Sequence, residues 1–380
     1  MSAPVRVRVP SLSHRQLLDR VLEHQDLVTA IQHLPGPALA RLVDRLGVED
    51  AGELVSLATT AQLEQLFDED LWRSPRPGED EHFDAARFVV WLEVMLESGA
   101  RFTAARLAEM SEDFLVHVIH QRALVLDLDA LAQTVEASDD PDQLEKALDD
   151  RLHHELDTYR LVARDQRGWD ALVEVLAELD ERHHDLLVRL LDRACALGDH
   201  EVADGGGLYD VLTSEETLAA DVAAEREDRR AREGYVAPSS ARAFLRLAAE
   251  TDVDTARREG RDAITRAYFR ELAPRPWPTL PPPTERLVGL LRESGVLDEA
   301  PAAPLLEAGD AGGPEGALRA AMSALAERDP ALHALRMSEL VYLVNVLVAS
   351  GQGGERGVRP EEAAASVLRA CARGLDHLVA

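Results

Sequence analysis

The side chains best suited to metal chemistry form two acidic, histidine-rich clusters. The first cluster contains His153, His154, Glu155 and Asp157, and the second contains Asp180, Glu181, His183, His184 and Asp185. On a helix, Glu181 with His184 and Asp180 with His183 would each share a face, because residues three apart are neighbours there. A di-metal site in a helical bundle needs this spacing twice, together with two further inward-facing carboxylates.

We expect both clusters to be helical, and Asp150 with His153 would then supply the second pair. The candidate metal ligands are therefore His153, His154, Asp180, Glu181, His183 and His184. The alternative interpretation is that these are solvated surface side chains, because no apolar shell surrounds them in the sequence.

No pattern nominates a catalytic residue or a bound cofactor. The sequence lacks a Gly-x-Ser-x-Gly elbow, and we find no strand signal that would support one. Cys195 and Cys371 both sit in apolar helical patterns, where a small buried side chain is the ordinary interpretation. We interpret His117 and His120, which lie among apolar residues, as helix-boundary or partly buried histidines. An enzyme is therefore not expected.

Composition excludes several classes of partner. The 380 residues carry 70 acidic and 41 basic side chains, so the formal net charge is −29. Such a charge repels nucleic-acid phosphate and argues against adsorption to an anionic membrane. The longest apolar stretch, Leu340 to Ala349, is about half a membrane span, so membrane insertion is not expected. Two widely spaced cysteines and no signal-peptide pattern predict a cytoplasmic protein.

Short apolar seams predict an all-α fold. Aromatic residues make up only 4%, and apolar positions from Leu34 to Leu46 recur at three- and four-residue steps until Gly47. Further short helices follow, and Thr59 or Thr60 is expected to cap the third. Helices of about ten residues do not persist alone in water, so they must stack on one another. We therefore predict a superhelical array of short degenerate repeats, of undetermined hand, with a C-terminal helical module.

Several longer helices are expected after this array. The predicted positions are Phe88 to Leu96, Phe114 to Leu126, a start at Asp140–Pro141–Gln143, a stripe from Leu172 to Leu191, and a capping box at Thr213 and Glu216.

A proline-rich stretch predicts the clearest domain boundary. Six of the eleven residues from 273 to 283 are proline, a composition typical of a semi-rigid spacer. The predicted organisation is a superhelical repeat module at 11–135, a helical module at 139–272, a linker at 273–283 and a C-terminal helical module at 284–380.

Two sequence resemblances support a helical fold. Residues 34–72, LPGPALARLVDRLGVEDAGELVSLATTAQLEQLFDEDLW, resemble the cytosolic superhelical N domain of magnesium transporters and are similar to the short-helix repeats of flagellar motor switch proteins. The blocks FDEDLW, VVWLEVMLESG, REGYVAPSSARAFLRLA, LRMSELVYLVNVLVASG and RPEEAAASVLRACARGLD resemble an uncharacterised bacterial helical family. That second resemblance implies a fold but no activity and no site residues.

The leading hypothesis is a non-catalytic scaffold that binds another protein in a groove of its helical stack. Its acidic surface would favour a basic partner. Trp72, Trp91 and Tyr342 are expected to pack in the core instead of serving as exposed anchors. The alternative is a regulator that responds to Mg²⁺ or Ca²⁺ bound by acidic helix faces, and an enzyme built on the histidine-acid helices is a third option. The sequence does not specify an oligomeric state.

Overall fold

A computed structural model describes residues 12–76, 78–130, 132, 151–203, 214–250, 279–297, 315–351 and 358–379. These residues form two compact units. Unit 1 contains the described residues of Met1–Trp72, Phe83–Arg226 and Leu280–Leu297. Unit 2 contains those of Arg73–His82, Glu227–Thr279 and Asp298–Ala380. The structure confirms the mostly all-α class, whereas a regular superhelical repeat stays a prediction.

Unit 1 begins with a series of short helices. They are α1 (His14–Leu22), α2 (Leu27–Gln32), α3 (Gly36–Leu46), α4 (Gly52–Leu57), α5 (Thr60–Asp70), α6 (Ala85–Leu96), α7 (Ala100–Leu107) and α8 (Glu112–Arg122). Two-residue strands, β1 (Trp72–Arg73) and β2 (His82–Phe83), pair between α5 and α6. Nearly every helix of this series buries an apolar stripe in one continuous core.

The ends of these helices follow local chemistry. Gly47 ends α3 with φ of 94°, a conformation that disfavours any residue with a Cβ. Thr59, one of the two residues predicted to cap this helix, caps α5, and it forms a capping box with Gln62. The Gln62 side chain is 5% exposed, and its Nε2 donates to the backbone oxygens of Ile31 and Leu34, both at 2.7 Å. Gln62 therefore ties the start of α5 to the end of α2.

Unit 1 also contains a three-stranded antiparallel sheet. Its strands are β3 (Ala123–Asp127), β4 (His153–Leu156) and β5 (Tyr159–Ala163), in the order β3-β5-β4. Ala123 opposes Ala163 in β3 and β5, and Leu156 opposes Tyr159 across the β4–β5 turn.

Two sequence predictions are wrong here. The predicted helix from Phe114 to Leu126 ends at Arg122, and the predicted helix carrying His153 and His154 is strand β4. The physical reason is a tight hairpin: Asp157 adopts φ of 53°, and aspartate tolerates this left-handed conformation better than most residues. Strands β3, β4 and β5 therefore form where no local pattern in the sequence predicted a strand.

Longer helices complete unit 1. Helix α9 (Trp169–Ala203) packs against α7, α8 and β3, and its backbone departs from helical geometry at His183, with φ of −135°. Helix α10 (Ser214–Ala231) follows, and its residues up to Arg226 belong to unit 1. The predicted helix start at 140–143 and the capping residue Thr213 lie outside the described residues.

The chain after the proline-rich stretch returns to unit 1. Helix α12 (Pro282–Glu293) packs on α2, where Leu287 and Leu291 are fully buried. Pro282 and Pro283 thus begin a helix, a position that suits proline because the first helical N–H groups need no helical partner. The predicted modules at 11–135, 139–272 and 284–380, with a linker at 273–283, stay a prediction.

Unit 2 contains α11 (Pro238–Glu250), α13 (Glu315–Arg328), α14 (Pro330–Ala349) and α15 (Pro360–Val379), with α14 packed against the other three. Phe244 and Tyr342 meet edge to face at 6.2 Å beside the buried Val346. Within the described residues, α14 is the one helix whose length and composition would suffice to cross a membrane, with a mean hydropathy of 1.4 and 11% of that window buried.

Candidate functional site

The structure places the candidate metal ligands on two different elements. His153 and His154 lie on β4, and Asp180, Glu181, His183 and His184 lie on α9. His153 Nδ1 is 3.0 Å from the backbone oxygen of Arg151. Asp150, the expected partner of His153, lies outside the described residues. Across the described part of the chain, no three His, Cys, Asp or Glu side chains are grouped so that they could hold a metal ion.

One pair within the second cluster does form. His184 Nδ1 lies 2.8 Å from Asp180 Oδ1, four residues earlier on α9. The predicted partner of His184 was Glu181, three residues earlier. The hydrogen bond to Asp180 raises the pKa of His184, and the nearby carboxylates of Asp157 and Asp185 add to this. The pair is an exposed ion pair on a helix face, so nothing here favours the predicted response to divalent cations.

The histidines of α8 are core residues. His117 and His120 are 4% and 2% exposed, more deeply buried than predicted. The His117 ring meets the Phe83 ring at 5.0 Å, and burial, followed by the neighbouring His120, lowers its pKa to about 4. His120 Nε2 lies 3.6 Å from Glu215 Oε1 on α10.

The cysteines and the most perturbed tyrosine also lack the setting of a nucleophile. Cys195 is buried, and burial raises the pKa of Cys371. A thiol whose pKa is raised carries little thiolate, the reactive form, at neutral pH. Burial, followed by a hydrogen bond donated to the Asp192 carboxylate, raises the pKa of Tyr159 to about 12. Its hydroxyl is therefore protonated at neutral pH.

Unit 1 has an open groove between α3, α5 and α6, which we call the α3–α5–α6 groove. Its volume is about 220 Å³. The floor is apolar and the rim is charged. The lining residues are Ala40, Arg41, Val43, Asp44, Gly47, Val48, Leu66, Glu69, Asp70, Arg87 and Trp91.

Local sequence rules explain how the groove is made. Val43 and Leu66 lie on the apolar faces of α3 and α5, and both are 2% exposed. Asp44 directly follows Val43 and is exposed, because successive helical residues point about 100° apart, and the exposed Glu69 lies three residues after Leu66. The sharp end of α3 at Gly47 lets Val48 form one end of the groove.

A fixed carboxylate lies in the wall of the groove. Asp70 Oδ2 accepts hydrogen bonds from Arg87 Nε and from Trp91 Nε1, both at 2.6 Å. Trp91 is 1% exposed, and the Phe67 ring packs against it edge to face at 5.4 Å. Because the Trp91 ring is packed from behind and its N–H is satisfied, it holds Asp70 in one position.

The lining of the groove combines charged and apolar side chains. Three carboxylates and two guanidinium groups surround the apolar floor, and the described lining contains no serine, threonine, cysteine, histidine or lysine. The described lining therefore offers carboxylates, guanidinium groups and apolar contact, without a hydroxyl, thiol, amine or imidazole.

Sequence reasoning expected Trp91 in the core, and the structure confirms it, but Asp70 was not singled out. The two residues are 21 positions apart on different helices, so no local spacing connects them. Trp72 and Tyr342 are half-buried. Trp72 lies under the Arg226 guanidinium at 4.6 Å from its ring, and the 4% exposed Arg226 donates from Nε to the backbone oxygen of Asp68.

Comparison with known proteins places this groove within a recognised family. Residues 2–204 match a family of unknown function, DUF6178. No curated protein matches the chain, and no solved structure matches it. The resemblance to magnesium transporters stays a prediction that none of these comparisons shows. The match covers more than half of the 380 residues and includes every residue of the groove, and the chain therefore belongs to the DUF6178 family of unknown function.

Proposed function

We propose that this protein is a non-catalytic helical scaffold that binds a segment of another protein in the α3–α5–α6 groove. The observation that carries the proposal is the groove itself, with its apolar floor, its charged rim and the fixed Asp70 carboxylate. Apolar anchoring surrounded by polar contacts is the usual anatomy of a protein interface.

The proposed partner segment carries basic side chains beside an apolar one. Asp44, Glu69 and Asp70 give the rim more carboxylates than guanidinium groups. The whole chain, with a net charge of −29, adds a long-range attraction for a basic partner. Association is then expected to weaken as salt rises, because screening shortens this attraction.

We place this activity in the cytoplasm. Both cysteines, Cys195 and Cys371, are free thiols, which is the usual state in a reducing compartment. The mixture of apolar and charged side chains in the lining supports binding as the role of the groove.

The proposal is tested by affinity capture with a matched pair of variants. Asp44→Arg reverses one rim charge at an exposed position near the C-terminal end of α3, where arginine suits the helix. Glu174→Arg makes the same kind of change at an exposed position of α9 that is not among the lining residues of the groove.

We expect wild-type protein and Glu174→Arg to retain the same protein at low salt and to release it at high salt. Asp44→Arg should retain at least about tenfold less, a change of about 1.4 kcal/mol in binding free energy. Equal capture by the two variants would show that the groove is not the binding site. If the amount captured does not change with salt concentration, the partner is not basic as proposed.

A further inference from the structure

A second cavity, in unit 2, has the size and chemistry of a small-ligand site. Its volume is about 370 Å³, within the range of about 300–1,000 Å³ that is usual for such sites. Three segments of unit 2 enclose it: the stretch from Ser74 to Glu81, the connection from α10 to α11, and the C-terminal end of α14. We call it the unit 2 cavity.

The walls of the unit 2 cavity carry three carboxylates, of which Glu79 is paired with Arg76 and Glu81 with Arg230. Glu79, Glu81 and Glu233 line it, and no lysine, arginine or histidine is among its described lining residues. It also lies at the C-terminal ends of α10 and α14, which carry partial negative charge from the helix dipoles. Both contributions favour a cation over an anion.

The opposite part of the wall is apolar. Val236 is 5% exposed, and Tyr235, Pro238 and Val348 extend this surface along the cavity. A bare metal ion would leave that surface unused, because hard cations take oxygen ligands. An organic cation uses both parts of the wall, since its charged end meets carboxylates while its body covers apolar side chains.

One contact inside unit 2 shows a cation bound between an aromatic ring and a carboxylate. The Arg230 guanidinium lies 3.5 Å from the centre of the Tyr235 ring, and Arg230 Nη1 is 2.8 Å from Glu81 Oε2. Aromatic faces and carboxylates together attract cations in this way. Asn345 Nδ2 donates to the backbone oxygen of Gly234 at 2.6 Å, which fixes the connection that carries Glu233 and Tyr235 against α14.

We propose that the unit 2 cavity binds an organic ammonium ion with an apolar body, such as a protonated arylalkylamine. The ammonium group would lie among the glutamates, and the apolar body would lie along Val236 and Val348. This proposal concerns a different part of the chain from the α3–α5–α6 groove, so either can fail without the other.

Isothermal titration calorimetry with three matched probes tests the proposal on the full chain. The probes are 2-phenylethylamine, 2-phenylethanol and 3-phenylpropionate, which share a phenyl body and differ in the charge of the polar end. We expect saturable binding of the amine, binding of the alcohol that is at least about tenfold weaker, and no binding of the acid. Equal affinity for the amine and the alcohol, or no detectable binding of the amine at millimolar concentration, would overturn it.

A variant then localises the binding to the unit 2 cavity. Glu79→Gln removes one exposed carboxylate from the wall, and its partner in the structure is the exposed Arg76 at 3.7 Å, so folding is not at stake. The matched control is Glu327→Gln, at an exposed position of α13 in the same unit. We expect a severalfold weaker affinity for the amine in Glu79→Gln and no change in Glu327→Gln. An unchanged affinity in Glu79→Gln would show that the amine binds elsewhere and would overturn the proposal.

Discussion

Removing the buried imidazole of His117 should make unit 1 less sensitive to acid. His117 is 4% exposed, and burial lowers its pKa from 6.5 to about 4. The unfolded chain therefore takes up a proton near pH 6.5, while the folded chain resists it until about pH 4. Because the unfolded state binds more protons in this interval, the free energy of unfolding falls as the pH falls through it.

The size of this effect follows from the displacement of the pKa. A pKa difference of one unit corresponds to about 1.4 kcal/mol. The free energy of unfolding therefore falls by about 3 kcal/mol between pH 6.5 and pH 4, and by about 2 kcal/mol by pH 5. His117→Phe keeps an aromatic ring against Phe83 and removes the titrating group. The loss of stability between pH 7 and pH 5 should be about 2 kcal/mol smaller in this variant than in the wild type.

Urea unfolding followed by tryptophan fluorescence measures the difference. Trp72, Trp91 and Trp169 all belong to unit 1, so the signal reports mainly on that unit. His33→Gln, at an exposed histidine, is the control for removing an imidazole and should keep the wild-type pH profile. If His117→Phe loses as much stability at pH 5 as the wild type does, the account of His117 as a neutral buried residue is wrong.

Three further changes test individual contacts of unit 1. Gln62→Glu should lower the free energy of unfolding by about 2–3 kcal/mol in urea denaturation, because a carboxylate would face the two backbone oxygens to which Gln62 donates; an unchanged midpoint would contradict this. Thr59→Ala should cost about 1 kcal/mol by removing the cap of α5, and no loss would mean that the cap is dispensable. In an ultraviolet titration one tyrosine should ionise near pH 12, and Asp192→Asn should lower that value, because the Asp192 carboxylate helps to raise the pKa of Tyr159. An identical tyrosine titration curve in the wild type and in Asp192→Asn would refute the role of Asp192 in raising the pKa of Tyr159.

The parts of the fold that depend on local chemistry could be read from the sequence. The stripe of α3, its end at Gly47 and the cap of α5 at Thr59 each involve residues within one or two helical turns. These features depend on backbone geometry and side chains a few positions apart, so spacing alone predicts them.

The parts that depend on distant pairing could not be predicted in the same way. Strand β3 pairs with β5, where Ala123 opposes Ala163, 40 positions later, and that partner decides that Ala123–Asp127 is a strand instead of the end of a helix. The same holds for the candidate site, because the Asp70 carboxylate owes its position to Trp91 on another helix. The candidate metal ligands were predicted from residue spacing on a helix. That spacing does not apply to His153 and His154, because they lie on strand β4.

Site-specific photo-crosslinking in cells tests the proposed recognition role most directly. A benzoylphenylalanine placed at position 44, on the rim of the α3–α5–α6 groove, reports what contacts the groove, and the same residue at the exposed position 174 is the control. The account predicts one discrete protein adduct at position 44, mapped by mass spectrometry to a basic segment of the partner, and no such adduct at position 174. No adduct at position 44, or the same adducts at both positions, would contradict the claim that this groove binds a protein partner.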